Sequence, residues 1–121
     1  MSWVVRLEDA FEQEFSALPL AVRERLLATT RMLRDHGPQL GRPYVDTLKG
    51  SKFANMKELR FTADGGVWRV AFVFDPRRQA ILLVAGDKAG VNESRFYRGL
   101  IATADGRYAA HLARQRLSPA E

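Results

Sequence analysis

The chain has 121 residues, 46% of them hydrophobic, which suffices for one domain with its own core and no covalent crosslinks. It has no cysteine, so disulfides and thiolate metal sites are excluded and a reducing cytoplasm is the expected compartment. The net charge of +5 and the sequence pI near 10.1 favour a polyanionic partner. The N-terminus lacks a charged leader followed by a long apolar run, and no apolar segment is as long as a membrane span. We therefore expect neither secretion nor membrane association.

The N-terminal third predicts one strand and two helices. Trp3 to Leu7 is a short β-prone run that suits an edge strand. A helix is predicted from Glu8 or Asp9, and its apolar stripe recurs at helical spacing: Phe11, Phe15 and Leu18. A second helix is predicted from Leu20 to His36, where Gly37-Pro38 ends it. We expect the two helices to form a hairpin across the apolar face of a sheet.

The remainder of the chain predicts a loop, a small sheet and a C-terminal helix. Gln39 to Asn55 is polar and interrupted by glycine and proline, which indicates a loop with little regular structure. The runs MKELRFT, VWRVAFVF and AILLVAG then predict three antiparallel strands with two tight connections. The register of the third strand stays undetermined because both of its faces are apolar. Asn92 is a favourable N-cap, and Gly99 and Gly106 leave either one broken helix or two short ones admissible.

A pair of arginines is the strongest functional signal. If Ala63 to Gly66 forms the first turn, Arg60 faces Arg69 on one face of the sheet. Like charges directly opposite each other destabilise a sheet, so the pair points to an anionic ligand between them. Arg69 is the best single candidate because its face of the strand is otherwise apolar. The alternative for Arg69 is a structural ion pair with Glu58 or Asp87.

Other charged residues carry weaker signals. Lys49 and Lys52 are candidates for RNA contacts, although a solvated loop would be lysine-rich as well. His36 and His111 are far apart in sequence and are expected to be surface residues. The sequence has no Gly-rich phosphate loop, metal-ligand cluster or nucleophile elbow, so we expect no metal and no cofactor.

The segments LKGS, KELR, WRVAFVF and ILLVAGDK, followed by ESRFYRGLI at the start of a helix, resemble the RelE/ParE superfamily of bacterial toxins. The similarity is closest to the HigB-like, phage-derived branch and extends over almost the whole chain. It implies a single α+β domain over residues 1–121, with two N-terminal helices packed on a small antiparallel sheet of three to four strands, plus a C-terminal helix. The activity it implies is metal-independent cleavage of messenger RNA, commonly in the ribosomal A site, restrained by a cognate antitoxin that we expect to be a helix-turn-helix protein.

The resemblance also implies roles for individual residues. Arg69 occupies the place of the central-strand arginine that RelE-type toxins use on the phosphate, and Arg60 would supply a second cation. Lys88 matches the basic residue that follows the last strand. Tyr97 matches a tyrosine that stacks on a base or assists proton transfer, although a core aromatic is an equal alternative. Glu58 stands where many members carry a lysine, and it would either accept the 2′-hydroxyl proton or neutralise Arg60.

Several alternatives stay open on the sequence alone. Lys57, Lys88 and Tyr97 are all candidates for the general acid. Lys57 and Arg95 complete the predicted RNA-binding set with Lys49 and Lys52. A ParE-like inhibitor of DNA gyrase and a non-catalytic module that binds RNA or an acidic protein are the competing functions. In each case we expect the arginine-bearing face of the sheet to be open and cationic.

Overall fold

The structure is a computed structural model that describes residues 2–117 as a sheet with helices on both faces. The elements in chain order are β1 Val4–Leu7, α1 Asp9–Phe15, α2 Leu20–His36, a 3₁₀ turn Gly37–Gln39, β2 Val45–Thr47, β3 Lys57–Ala63, β4 Gly66–Phe74, β5 Gln79–Asp87 and α3 Glu93–Leu117. The five strands lie in the order β1-β5-β4-β3-β2. The predicted α+β class is confirmed.

The sheet differs from the prediction in strand number and direction. The predicted strand at the N-terminus forms as β1, but it runs parallel to β5, so the sheet is mixed. β2 lies inside the segment predicted as a loop and pairs antiparallel with β3 through Val45 opposite Leu59. A strand of three residues is too short for the alternation that identifies a strand in a sequence. The predicted count of three to four strands is therefore one too low.

Helices α1 and α2 cover one face of the sheet, as predicted. The bounds of α2 are those expected from its apolar spacing, and Gly37 follows it with a φ of 57°, a conformation that a residue with a side chain rarely adopts. The side chain of Glu8 caps α1 by accepting hydrogen bonds from the amides of Ala10 and Phe11 at 3.0 and 3.2 Å. The buried core on this face consists of Phe11, Val22, Leu26, Leu33, Val45, Leu59, Phe61, Val70, Phe72, Ala80 and Leu82.

The hairpin between β3 and β4 has the predicted register. Asp64 and Gly65 form its two-residue tip with φ values of 52° and 75°, and Ala63 opposite Gly66 closes the turn. Positive φ at both tip positions is the pattern of the type I′ turn, whose twist matches that of antiparallel strands. Arg60 consequently lies opposite Arg69, as expected.

Helix α3 covers the other face, so the expectation that the arginine-bearing face stays open is wrong. It is one continuous helix of 25 residues, and both of its glycines lie on exposed positions. Its core contacts with the sheet involve Met56, Ala71, Val73, Ile81, Leu83, Leu100, Ala104 and Tyr108. Because β4 and β5 carry apolar side chains on both faces, each face requires a cover.

The C-terminal half of α3 is tied to the rest of the molecule by polar contacts. Leu83 has no partner where the β4–β5 register shifts between Ala71 and Phe72, and its carbonyl accepts a hydrogen bond from Arg107 at 2.9 Å. Arg107 also binds Glu14 at 2.6 Å. The hydrogen bond from Arg107 lowers the pKa of Glu14 despite some burial. His111 contacts Asp75 of the β4–β5 turn at 3.1 Å. These contacts fix α3 along its length.

Candidate active site

The two arginines lie side by side on the α3 face, near the start of that helix. The Arg60 side chain is 22% exposed, whereas that of Arg69 is 7% exposed. Arg69 donates from Nε to the Tyr97 hydroxyl at 3.2 Å and from Nη1 to the Trp68 carbonyl at 2.9 Å. Within residues 2–117 its Nη2 has no hydrogen-bond partner, and Arg69 lines a cavity, so this nitrogen is available to a ligand oxygen.

Glu58 compensates the charges of the arginine pair. Its Oε2 accepts a hydrogen bond from Arg60 Nη1 at 3.0 Å, and its Oε1 lies 3.8 Å from Arg69 Nε. The carboxylate is almost fully buried, and it also accepts a hydrogen bond from the Tyr97 hydroxyl at 2.8 Å. The ion pair considered as the alternative role of Arg69 is thus present. Within residues 2–117, Glu58 is the one carboxylate within ion-pair distance of the two arginines, while Glu93 interacts with both and Asp46 with Arg60 at longer range.

Tyr97 joins the helix to this cluster through its hydroxyl. Its ring packs at the margin of the core on the α3 face, in edge contact with Phe96 at a centroid separation of 5.2 Å. Burial and the hydrogen bond to Glu58 raise the pKa of Tyr97 above 10.0, against the opposing effect of Arg69. The phenol therefore keeps its proton at neutral pH. Tyr97 thus makes a core contact through its ring and polar contacts through its hydroxyl, and its role toward RNA stays a prediction.

Lys88 lies beside Tyr97, just after β5. Its ammonium is 5.8 Å from the centre of the Tyr97 ring and 2.7 Å from Oε1 of Glu93, in the first turn of α3. The hydrogen bond from Lys88 is the main cause of the lowered pKa of Glu93. Glu93 was not identified from the sequence, because nothing there shows that the helix start would meet the strand end.

Gly86 makes room for this arrangement. It lies opposite Arg69 on β5, and a Cβ at this position would come within 2.8 Å of the Phe96 ring. Because Gly86 has no side chain, the first turns of α3 approach β5 closely enough for Tyr97 to contact Arg69.

The predicted RNA-binding residues do not all lie together. Lys57 belongs to the opposite face of the sheet, because its neighbours by the two-residue period are the buried Leu59 and Phe61. Lys49 and Lys52 are exposed in the β2–β3 loop, and the amide of Lys52 binds Asp105, about 12 Å along α3 from Tyr97. Arg95 is exposed in the first turn of α3. Their roles in RNA binding stay predictions.

A cavity of about 290 Å³ opens on the arginine pair from the edge of β3. Besides Arg60 and Arg69 it is lined by Arg25, Tyr44 and Thr62, among others. Neither Arg25 nor Tyr44 was singled out in the sequence. Arg25 is an exposed basic residue of α2, and nothing in the sequence shows that it borders the arginine pair; Tyr44 lies in the segment predicted as a loop.

Other kinds of site have no counterpart in the described chain. Within residues 2–117, no group of three or more acidic or histidine side chains is placed to hold a metal ion. None of the helices in the same range combines the length and the apolar character needed to cross a membrane.

The sequence of the chain matches a known protein family and named relatives. Residues 13–109 match the family described as "Phage derived protein Gp49-like (DUF891)". The chain is 47% identical over 91 residues to the protein named toxin HigB2 of Mycobacterium tuberculosis, covering 74% of this chain and 45% of that protein. It is also 47% identical over 96 residues to the protein named toxin HigB3 of the same organism, covering 79% of this chain and 82% of that protein. The chain thus spans less than half of HigB2 and most of HigB3.

Solved structures share the fold. A mutant of the Escherichia coli toxin RelE in the free state superimposes with a TM-score of 0.61 at 13% identity, covering 84% of this chain and 96% of that one. The archaeal RelE–RelB complex from Pyrococcus horikoshii OT3 gives a TM-score of 0.53 at 19% identity, covering 75% of this chain and 100% of that one. The predicted RelE-like fold is confirmed. The chain belongs to the Gp49-like phage-derived family, its relatives include the proteins named HigB toxins, and it has a RelE-like fold.

Proposed function

We propose that the chain is the toxin of a type II toxin–antitoxin pair and acts in the cytoplasm as a metal-independent endoribonuclease on ribosome-bound messenger RNA. The relatives named as toxins support the first part. The observation that carries the second is the Arg60–Arg69 pair, which has Glu58 as its one close carboxylate and a cavity opening on it within the described residues. A dianionic transition state at phosphorus is the ligand that two adjacent guanidinium groups suit best.

The chemistry is an in-line displacement at phosphorus. The ribose 2′-oxygen attacks, the bond to O5′ breaks, and the products are a cyclic phosphate and a free 5′-hydroxyl. The 2′-hydroxyl proton passes to a base, and O5′ receives a proton from an acid. Arg69 Nη2 and Arg60 offset the charge that builds on the phosphoryl oxygens.

The remaining residues of the site support these two steps. Tyr97 keeps its hydroxyl proton at neutral pH and is the candidate proton donor, although the burial and the Glu58 hydrogen bond that raise its pKa make it a weaker acid than a free phenol. Both oxygens of Glu58 are occupied by Arg60 and Tyr97, so the carboxylate orients these groups rather than acting as the base. Lys88 is one more cation on the same side, close to Tyr97.

The test is the cleavage of a defined messenger in a reconstituted bacterial translation reaction, with the new 5′ ends mapped by primer extension. Replacing Arg60 or Arg69 by alanine should lower the cleavage rate by about 10²–10³, the usual effect of removing one donor from a developing oxyanion. Arg60→Ala is the safer variant for folding because this side chain is the more exposed of the two. Arg31→Ala, on the exposed side of α2, is the charge-matched control.

The same preparation distinguishes the competing function. Intact messenger together with blocked supercoiling by DNA gyrase would contradict the ribonuclease proposal and favour a ParE-like inhibitor. Full cleavage by well-folded Arg60→Ala and Arg69→Ala proteins would show that the site is misassigned.

We propose a cognate antitoxin, a helix-turn-helix protein, as the regulatory partner. Support comes from the RelE–RelB complex, in which a chain of the same fold is bound by another protein. Coexpression of the reading frame next to this one should relieve growth arrest, and the two proteins should copurify. Growth arrest that the neighbouring frame leaves unchanged would contradict this pairing.

A further inference from the structure

The cavity beside the arginine pair extends past the residues that the proposed reaction uses, and it exists because β2 is short. β2 pairs only with Lys57–Leu59, so the outer edge of β3 from Arg60 onward is not covered by a strand. The chain before β2 crosses this edge at one point, where the Tyr44 carbonyl accepts a hydrogen bond from the Arg60 amide at 2.8 Å. Helix α2 contributes Arg25 on the far side. The result is a groove that leads from Arg69 toward α2.

The groove is cationic. Three arginines are among its lining residues, Arg25, Arg60 and Arg69, and none of the lining residues within 2–117 is acidic. Glu58 compensates the inner two in part, whereas the Arg25 side chain has no hydrogen bond or ion pair within residues 2–117. The positive charge therefore continues outward beyond the pair that would hold the reacting phosphate.

Tyr44 provides an aromatic surface on the same groove. Its residue is 37% exposed, and its hydroxyl has no partner among the described residues. Its backbone is fixed by two hydrogen bonds, one from its own amide to the Gly41 carbonyl at 3.0 Å and one from the Arg60 amide. An exposed ring on a fixed backbone beside guanidinium groups is the combination that binds single-stranded nucleic acid by stacking on bases and pairing with phosphates.

We propose that this groove binds the nucleotide next to the reacting phosphate, with Tyr44 stacked on its base and Arg25 paired with the following phosphate. The inference rests on the proposed ribonuclease function and adds a second RNA contact region to it. Single-stranded RNA fits better than an acidic peptide, because the groove combines arginines with an exposed aromatic residue on which a base can stack. Tyr44 and Arg25 then influence which sequences are cleaved.

Two pairs of variants test the proposal, each with its own control. Tyr44→Ala removes the ring, while Tyr44→Phe keeps it and loses only the hydroxyl. Arg25→Ala removes a cation inside the groove, while Arg31→Ala removes one from the outer side of the same helix. The measurements are cleavage on programmed ribosomes, with the distribution of cleaved sites, and fluorescence anisotropy of a short labelled single-stranded RNA. Circular dichroism checks the fold of every variant.

Tyr44→Ala should weaken cleavage and RNA binding by roughly 5- to 150-fold, the range for loss of one stacked base, and should redistribute the cleaved sites. Tyr44→Phe should stay within about twofold of wild type, since the stacking face is retained. Arg25→Ala should weaken binding and reduce the slope of log affinity against log salt by about 0.7, as expected for one phosphate contact on a single strand. Arg31→Ala should leave both unchanged.

The outcomes separate this inference from the proposed function. Wild-type cleavage by Tyr44→Ala and Arg25→Ala, with cleavage by Arg60→Ala lost, would overturn the proposal that the groove binds RNA. The ribonuclease proposal would remain. Loss of antitoxin binding without any change in RNA binding or cleavage would also overturn it, since the groove would then be a protein-docking surface. Unchanged cleavage by Arg60→Ala and Arg69→Ala would instead contradict the proposed function.

Discussion

The buried carboxylate of Glu58 offers the sharpest test of how the site is held together. Glu58→Ala would remove the acceptor of the Tyr97 hydroxyl and the close carboxylate partner of both arginines. Arg60 is partly exposed and can be rehydrated by water, but the Arg69 side chain is only 7% exposed and cannot. Breaking a buried pair by removing one partner costs about 3–5 kcal/mol, because the other charge is left uncompensated.

The assay is unfolding in urea, monitored by the fluorescence of the two tryptophans. With an m-value of about 2 kcal/mol per M, a loss of 3–5 kcal/mol lowers the unfolding midpoint by roughly 1.5–2.5 M. Glu58→Gln should lose most of the same free energy of unfolding, since the neutral amide keeps one hydrogen-bond acceptor but still leaves Arg69 uncompensated. Glu93→Ala, which removes an exposed carboxylate from Lys88, is the matched control and should leave the midpoint unchanged.

A double variant makes the test independent of cavity formation. Replacing Glu58 by leucine and Arg69 by methionine removes both buried charges and fills the space with apolar atoms. Its stability should recover to near that of wild type, although it should not cleave RNA. A midpoint unchanged by Glu58→Ala, or a double variant as unstable as Glu58→Ala, would refute the reasoning that an uncompensated Arg69 is the source of the loss.

Two further predictions concern α3 and the β4–β5 turn. Gly86→Ala should lower the free energy of unfolding by about 1–3 kcal/mol and speed hydrogen exchange in the first turns of α3, because the new Cβ meets the Phe96 ring at 2.8 Å. Gly99→Ala has open space around the new Cβ and should stabilise the protein instead. Burial opposes ionisation of Asp75, but hydrogen bonds from His111, Gln79 and others outweigh it and lower its pKa below 3.8. Its contribution to stability is therefore present above pH 3.8 and lost as the pH falls through the folded-state pKa. Asp75→Asn should be less stable at neutral pH and show a shallower acid dependence of the unfolding free energy, and a curve parallel to that of wild type would contradict this.

The sequence determined most of the local structure. The spacing of apolar residues and the glycine that follows predicted α2 with its bounds, because a helix buries one side and ends where a positive φ is needed. The Asp64-Gly65 pair and the two-residue alternation predicted that Arg60 faces Arg69, because turn geometry sets the register of a hairpin. The pairing of these two residues needed nothing beyond that reasoning.

Only the tertiary structure decided what surrounds the arginine pair. Arg69 and Tyr97 are 28 residues apart, and their contact depends on α3 docking against the sheet close to Gly86. The apolar residues on both faces of β4 and β5 were a sign that a helix would cover the second face, but they carried no information on where it would lie. The groove of Arg25 and Tyr44 depends on the length of β2, a strand too short to show any period. Local patterns specify which residues face each other within a hairpin, whereas contacts between distant elements depend on how their surfaces pack.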